Sequence, residues 1–401
     1  MYEREQVATI QKRISEVDNP LIQVVVGPRQ TGKSTMISQA LEKLSQPKHF
    51  VSADDELAPT PDWIKTEWQQ ARNLQSRHGQ TTILAIDEIQ KIKGWPNVVK
   101  GLWDADRRNN VNLKIVLSGS SSMLLRRGLE DSLKGRFELI YSPHWSYEEC
   151  HDAFGFTEDN YLVYGGFPGA SRFVDDESRW RAYMRDSIIE PTISKDVLED
   201  EDVRKPALMR ALFEMGARFS AQELSYTKML GQLQDAGNTT TLAHYLNLLD
   251  KAGMLTGLER YSENAISMRK SSPRLLVYDT GLMTAVTNKP SALLLGDSDL
   301  KGHLVESVVG AHLLSLSVQH GLKLSWWREG IYEVDFVVSQ GDLLFAIEVK
   351  SGRTKAQGGM NKFLSKYPRA QRIVVGGSAA GSCTLQEFLT DQLDVPWQAS
   401  K

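Results

Sequence analysis

A glycine-rich segment near the start of the chain contains the residues of a phosphate-binding loop. Residues 27–35, GPRQTGKST, satisfy the pattern G-x-x-x-x-G-K-[ST]. They lie between the apolar run LIQVVV and the helical stretch TMISQALEKL, which is the strand-to-helix context that such a loop needs. In this context the motif favours an ATP site over an ordinary glycine-rich turn. The residues expected to contact ATP are Gly27, Pro28, Arg29, Gln30, Thr31, Gly32, Lys33, Ser34 and Thr35.

The residue types within this loop suit a triphosphate and its metal ion. Gly27 and Gly32 allow the backbone to wrap around phosphate, and backbone N–H groups at the helix start supply partial positive charge. Lys33 can neutralise the β and γ phosphates, and Ser34 can ligate Mg²⁺. The sequence therefore predicts ATP and Mg²⁺ as cofactors.

Two carboxylates that end an apolar strand could complete a hydrolytic site. In LAIDEIQ, Asp87 is expected to hold Mg²⁺ and Glu88 to act as the general base for an attacking water. In LSGSSS, Ser118 and Ser120 end the next strand, where a hydroxyl can sense the γ-phosphate or orient water. A general base beside the metal ligand favours hydrolysis over binding alone.

Arg136 is a candidate for a catalytic role between subunits. It closes the predicted helix GLEDSLKGR just before the strand FELIYSP. An arginine in this position can reach the ATP of a neighbouring subunit as an arginine finger, which would require a homo-oligomer. The alternative is an arginine that interacts favourably with the dipole at the C-terminus of its helix.

Composition limits the classes of protein to consider. The chain has 401 residues, more than one hydrophobic core usually organises. Its hydrophobic content of 41% excludes general disorder, and its formal net charge of −3 gives no global attraction to nucleic acid. Cys150 and Cys383 are too few for a disulfide framework. There is no export signal and no apolar run long enough to cross a membrane, so we expect a cytoplasmic protein.

The first part of the chain alternates short apolar runs with amphipathic stretches, a pattern typical of a parallel sheet flanked by helices. The predicted strands are 21–27, 49–54, 81–87, 114–120 and 137–143. This predicts an α/β nucleotide-binding core over residues 1–148. A more helical stretch with the break YLVYGGFPGA follows, and we interpret residues 149–200 as a helical lid.

Residues 201–264 have the layout of a winged helix-turn-helix. SAQELSYTKML and TTTLAHYLNLLDKAG are predicted helices, and MLTGLERY is a predicted strand. Such domains bind DNA or serve as protein-protein modules. A plain helical spacer is the alternative interpretation.

The last part, residues 265–401, is predicted to be a second α/β unit with a cluster of acidic and basic side chains. A helix at GHLVESVVGAHLLSLS carries Glu306, and the strands KLSWWRE, YEVDFVVSQ, LLFAIEVKS and RIVVGG follow. Asp335 lies on one strand, and Glu348 and Lys350 lie on one side of the next. At least one of Trp326 and Trp327 is expected to be a core residue, with stacking on bases or contact with a nucleic-acid backbone as the alternative.

The motifs in this order resemble a family. GPRQTGKST, LAIDEIQ, LSGSSSMLL, LKGRFELIYSPHWSYEE and YGGFP, with YLNLLDKAGML, RLLVYDTGLM and WREGIYEVDFVV, resemble the bacterial and archaeal AAA-superfamily ATPases related to the archaeal-type ATPases. Those proteins carry a restriction-endonuclease-like C-terminal domain of unassigned role. The resemblance implies an α/β fold with a P-loop AAA-type core, a winged-helix middle domain and a nuclease-like end.

The C-terminal cluster is similar to that of PD-(D/E)-x-K nucleases. By that resemblance, Asp335 and Glu348 would ligate Mg²⁺, Lys350 would activate water, and Glu306 would complete the metal shell. Val334 stands where the motif has proline. An ordinary ion pair at a strand end is the alternative interpretation.

Three functional hypotheses follow. The first is an ATPase whose nucleotide state controls engagement of duplex, branched or damaged DNA, with Mg²⁺-dependent cleavage by the C-terminal domain as an additional activity to be tested. The second is a non-enzymatic nucleotide switch whose C-terminal fold binds protein. The third is a DNA-binding regulator that uses the winged helix alone, for which basic residues are sparse, with Lys228 the clearest.

Overall fold

The computed structural model describes most of the chain as two compact units, Met1–Pro143 and His144–Lys401. The described residues are 1–119, 129, 132–197, 203, 205–234, 237–263, 272–350, 358–377, 382–393 and 395. Among them, no helix is both long enough and apolar enough to cross a lipid bilayer.

The first unit is built on a five-stranded parallel sheet with the order β2-β3-β4-β1-β5. The strands are β1 (Ile22–Val26), β2 (Lys48–Ser52), β3 (Thr82–Asp87), β4 (Leu113–Gly119) and β5 (Phe137–Tyr141). All five predicted strands are present, with ends within two residues of the predicted ones. The apolar residues of β1 and β3 are buried throughout, as expected for strands covered on both faces.

Within the described residues of the first unit, four α-helices with assigned bounds flank this sheet. They are α1 (Glu5–Ser15), α2 (Lys33–Glu42), α3 (Pro61–His78) and α4 (Trp95–Arg108). α1 and α2 contribute to the apolar core on one face of the sheet, and α3 and α4 to the core on the other. The sequence analysis did not predict α1, although its buried residues Val7, Ile10 and Ile14 have helical spacing.

The second unit begins with helices. α5 (Tyr147–Phe154) and α6 (Glu158–Tyr164) precede α7 (Glu177–Tyr183), which continues into π-helical turns at Met184–Ile189 and Thr192–Val197. These elements occupy the region predicted as a helical lid. A lid role and the boundaries 149–200 stay predictions.

A three-stranded sheet and three helices follow in the second unit. The helices are α8 (Pro206–Arg218), α9 (Tyr226–Gln232) and α10 (Thr239–Lys251), and the strands are β6 (Gln222–Glu223), β7 (Leu255–Leu258) and β8 (Arg274–Val277). The strand order is β6-β8-β7, with both pairings antiparallel. β8 therefore pairs with strands of the predicted 201–264 domain, although the predicted division assigns it to 265–401.

The end of the chain forms a four-stranded sheet of order β12-β11-β10-β9. α11 (Thr280–Thr287), α12 (Ser291–Gly296) and α13 (Ser298–His320) precede β9 (Lys323–Glu329), β10 (Tyr332–Gln340) and β11 (Leu343–Val349). α14 (Gly358–Lys366), β12 (Gln371–Val375) and α15 (Leu385–Leu389) follow. β9, β10 and β11 are antiparallel neighbours, whereas β12 lies parallel to β11.

Trp326 and Trp327 on β9 are core residues. Both are buried, and the indole N–H of Trp326 donates to the carbonyl oxygen of Leu258 at 3.1 Å. The core interpretation is therefore confirmed, and stacking of bases on these rings is excluded.

The glycine pair of the YGGFP motif packs on a buried carboxylate. Asp279 accepts hydrogen bonds from the backbone N–H groups of Gly166 at 2.6 Å and Gly281 at 2.8 Å. Burial raises the pKa of Asp279 to about 7, although these two hydrogen bonds act in the opposite direction. Asp279 thus joins the Gly-rich break to the start of α11.

The stability of the protein should depend on pH through Asp279. The unfolded carboxyl has an ordinary pKa near 3.8, so its folded form holds the proton more tightly and stability falls as pH rises from about 4 to about 7. We expect this group to contribute about 3 kcal/mol to that fall. Thermal unfolding of the wild type and Asp279→Asn, measured across this range, should show a wild-type advantage that shrinks with pH. Exposed Asp175 provides a control as Asp175→Asn, and a constant wild-type advantage over Asp279→Asn would contradict the prediction.

Candidate nucleotide-hydrolysis site

The phosphate-binding loop joins β1 to α2 and is held closely against the end of β5. A side chain at Gly27 would bring its Cβ within 2.0 Å of the carbonyl oxygen of Ser142, so only glycine fits there. Gly32 precedes α2 with φ of 87°, a left-handed conformation that glycine adopts without steric cost. The two glycines of the motif therefore have different roles. Gly27 allows the loop to approach the backbone of Ser142 closely, and Gly32 allows the left-handed conformation before α2.

Lys33 lies inside the loop. Its residue exposure is 5%, and its ammonium group donates to the carbonyl oxygens of Pro28 at 2.6 Å and Gly27 at 3.1 Å. The charge is thus fixed at the loop itself, at the start of α2. Arg29 is half-buried, while Gln30, Ser34 and Thr35 are exposed.

Asp87 connects the loop to the neighbouring strand end. It accepts hydrogen bonds from the hydroxyls of Ser34 and Ser118, each at 2.5 Å. The structure therefore brings together three predicted site residues from α2, β3 and β4. Ser118 is fully buried and orients Asp87. Ser120, also singled out from the sequence, lies outside the described residues.

Glu88 follows Asp87 in a left-handed conformation, with φ of 52°. It is half-buried, and its carboxylate accepts a hydrogen bond from the side-chain amide of Gln90 at 2.5 Å. Left-handed conformations of residues other than glycine are uncommon and concentrate at functional sites. The left-handed conformation of Glu88 therefore supports its selection as a candidate functional residue.

Arg4, which was not predicted from the sequence as a site residue, stabilises the phosphate-binding loop through hydrogen bonds. It is 2% exposed and donates to Ser142 Oγ and the Pro143 carbonyl oxygen, both at 3.1 Å, and to the Thr31 carbonyl oxygen at 3.4 Å. Thr31 in turn hydrogen-bonds Pro28 at 3.1 Å and Ser142 at 3.2 Å. One buried guanidinium thus joins the loop to the end of β5.

Replacing Arg4 should weaken nucleotide binding. Arg4→Gln removes the charge and the fork of donors, so we expect KM for ATP to rise about 10-fold, with a smaller change in kcat. Steady-state kinetics checks this, and Arg4→Lys should recover part of the affinity. Arg13 offers a matched control, since it donates to the carbonyl oxygen of Leu139 on the same strand. An unchanged KM in Arg4→Gln would limit Arg4 to a structural role.

Arg136 lies at the opposite edge of the sheet from the loop. It precedes β5, and its carbonyl oxygen accepts from the N–H of Ile22, at the start of β1, so one strand length of about 16 Å separates it from the loop edge. Its guanidinium donates to Asp104 at 2.9 Å and 3.3 Å and lies over Trp103. This hydrogen bond lowers the pKa of Asp104. Arg136 therefore does not reach its own subunit's loop, and a role between subunits stays a prediction.

The second unit contains the predicted C-terminal carboxylates around an arginine. Arg274, 3% exposed, pairs with Glu306, with Glu333 at 2.7 Å and with Asp335 at 3.5 Å. Asp335 also accepts from the backbone N–H of Val349 at 2.9 Å. We call Glu306, Glu333, Asp335 and Glu348 the C-terminal carboxylate cluster.

Glu348, the fourth member of this cluster, lies near the end of β11, and Lys350 directly follows that strand. The β10–β11 ladder pairs Phe336 with Ile347, so Asp335 and Glu348 are the next residues along it. Glu348 is buried and Lys350 is half-buried. Among the described parts of the chain, no group of three or more His, Cys, Asp or Glu side chains has an arrangement that could hold a metal ion. Metal ligation by Glu306, Asp335 and Glu348 stays a prediction.

The sheet order, the loop and the paired Ser34 and Asp87 define the first unit as a P-loop nucleotide-binding domain. Residues 19–151 match the family model described as the AAA domain. This part of the chain therefore resembles the AAA-type P-loop ATPases, and its parallel sheet forms an α/β nucleotide-binding core of that kind. Residues 157–293 and 301–387 match two models described as domains of unknown function, DUF8612 and DUF4143.

Several proteins are similar in sequence to this chain over most of its length. An uncharacterized protein of Haemophilus influenzae is 23% identical over 85% of this chain and 85% of its own length. One of Mycobacterium tuberculosis is 27% identical over 82% of this chain and 70% of its own length. Among solved structures, the fold is similar to that of a Walker-type ATPase of Pyrococcus abyssi, with a TM-score of 0.52 and 16% identity, covering 72% of this chain and 96% of that one.

Proposed function

We propose that the AAA-type domain hydrolyses ATP with Mg²⁺, using Lys33, Asp87 and Glu88. The observation that carries this is the pairing of Asp87 with Ser34 and Ser118 beside a lysine fixed in the loop. These are the groups that phosphoryl transfer needs, because catalysis there is mostly positioning and charge stabilisation.

The oxygen atoms at this site fit Mg²⁺. Ser34 and Asp87 offer a hydroxyl and a carboxylate that already lie 2.5 Å apart, and hard oxygen ligands are those that Mg²⁺ prefers. When bound, Mg²⁺ would neutralise charge on the phosphate oxygens. Ser118 keeps the Asp87 carboxylate oriented through its own hydrogen bond.

The chain's own residues have separate roles in the proposed reaction. Lys33 positions the phosphates and offsets negative charge that develops on them. Glu88 accepts the proton of the attacking water, so the new bond forms at the γ-phosphorus while its bond to the β–γ bridging oxygen breaks. Arg4 keeps the loop in place through its hydrogen bonds to the carbonyl oxygens of Thr31 and Pro143.

Steady phosphate release from Mg²⁺-ATP by the purified full chain tests this proposal. We expect turnover that EDTA abolishes and that excess Mg²⁺ restores. Nucleotide binding without turnover would instead support the alternative of a nucleotide switch. Dependence of the specific rate on protein concentration would support Arg136 acting between subunits of a homo-oligomer.

We also propose that the nucleotide state of the first unit controls engagement of DNA. The order α8, β6, α9, α10, β7 and β8 agrees with a winged helix. The exposed residues of α10 are Thr239, Thr240, His244, Asn247 and Lys251. One lysine among five gives little attraction to phosphate. Stimulation of phosphate release by duplex, flapped or four-way DNA would support this proposal, and equal rates with every DNA would count against it.

A further inference from the structure

The C-terminal carboxylate cluster has a cation at its centre. Arg274 starts β8, and its Nε donates to the carbonyl oxygen of Ala221 at 2.9 Å. Its guanidinium also lies over the rings of Phe336 and Trp326, at 5.7 Å and 5.9 Å. The side chain is therefore enclosed on several sides and does not extend into solvent.

The carboxylates around Arg274 use its remaining donors. One terminal nitrogen donates to Glu333, and the other donates to Glu306 and Asp335. Burial alone would lower the pKa of Arg274, but the negative charges of Glu306, Asp335 and Glu333 outweigh it and raise the pKa above its ordinary value. The arginine thus remains charged inside the unit.

A divalent cation does not fit the cluster as it is arranged. It would compete for the carboxylates of Glu306 and Asp335, each of which already accepts a hydrogen bond from Arg274 through one oxygen, while the other oxygen of Asp335 accepts from the N–H of Val349. It would also be placed beside a buried positive charge, where repulsion is poorly screened. The guanidinium would have to leave first.

We propose that Arg274 is the resident cation of the C-terminal carboxylate cluster, which closes this site to divalent metal. The cluster then acts as a clamp in place of a cleavage centre. Arg274 lies on β8 of the three-stranded sheet, whereas its partners lie on α13 and on β10 of the four-stranded sheet. A fixed charge pair across these elements joins the two sheets within the second unit, independently of any ATPase activity.

Mn²⁺ binding to nucleotide-free full chain tests the proposal. All proteins compared would carry Asp87→Asn, which removes the carboxylate of the phosphate-loop site. With Arg274 present, we expect no Mn²⁺ binding that depends on Asp335 in electron paramagnetic resonance titration. With Arg274→Met added, we expect one Mn²⁺ per chain, lost again when Asp335→Asn is included.

Thermal unfolding provides a second measurement. Arg274→Met leaves buried carboxylates without their counter-charge, so its midpoint should fall by roughly 6 °C or more. Mn²⁺ should restore a large part of that loss. Arg72→Met is the matched control, because Arg72 forms an ion pair at 2.7 Å with the buried carboxylate of Asp106. It should lose stability without rescue by Mn²⁺.

Stoichiometric Mn²⁺ binding to the chain with Arg274 intact, abolished by Asp335→Asn, would overturn the proposal. So would an Arg274→Met variant that folds and binds no Mn²⁺. If that variant does not fold, the titrations with Arg274 present still decide.

Discussion

Lys33→Ala is expected to lower kcat/KM for ATP by about 10³-fold or more. The side chain places its ammonium 2.6 Å and 3.1 Å from two carbonyl oxygens of the loop, so its position is fixed before nucleotide arrives. Alanine removes the charge that would meet the β and γ phosphates. Phosphate release as a function of ATP concentration measures the effect.

Lys93 provides the control for Lys33. It is exposed after the turn Ile89–Lys91, outside the phosphate-binding loop, and Lys93→Ala should have wild-type kinetics. Circular dichroism during thermal unfolding would verify that both variants are folded. A folded Lys33→Ala protein with wild-type turnover would show that ATP is hydrolysed at another site.

Glu88→Gln should lower kcat by about 10²-fold to 10⁴-fold while ATP affinity stays within about threefold of wild type. Glutamine has the same shape but accepts no proton at neutral pH. Glutamate and glutamine are both unbranched at Cβ and bear a similar cost for the positive φ at position 88, so this substitution isolates the carboxylate. Single-turnover measurements should show bound ATP that is cleaved slowly.

Glu56→Gln is the matched control, since Glu56 is an exposed carboxylate in the same unit. Its kcat should equal that of the wild type. If Glu88→Gln instead hydrolyses ATP at the wild-type rate, the general base is another group and the proposed role of Glu88 is wrong. If it loses ATP affinity, Glu88 contributes to binding.

Local patterns predicted the parts of the site that are close in sequence. The loop, its strand and its helix are contiguous, so the motif and its context determine Lys33 and Ser34 together. Asp87 and Ser118 were predictable because carboxyl ends of parallel strands meet at one edge of a sheet. The hydrogen bond between them was not predicted, since it depends on β3 and β4 being neighbours.

The residues that the sequence did not reveal act across long separations. Arg4 reaches Ser142, 138 residues away, and only the placement of β5 beside β1 brings them together. In the sequence, Arg274 has the pattern of an ordinary residue at the start of a strand. No nearby motif predicts its ion pairs with Glu306 and Asp335. The sequence predicted the acidic residues Glu306 and Asp335 as a cluster, but it did not predict that Arg274 would neutralise them.

The close approach of Gly27 to Ser142 also constrains the order in which the chain can fold. β1 pairs with β4 and β5, so the phosphate-binding loop lacks its contact with the end of β5 until about residue 143 is in place. Contacts of this sequence separation form slowly because a long loop must close first. During synthesis, nucleotide binding would therefore be a late event that reports completion of the first unit.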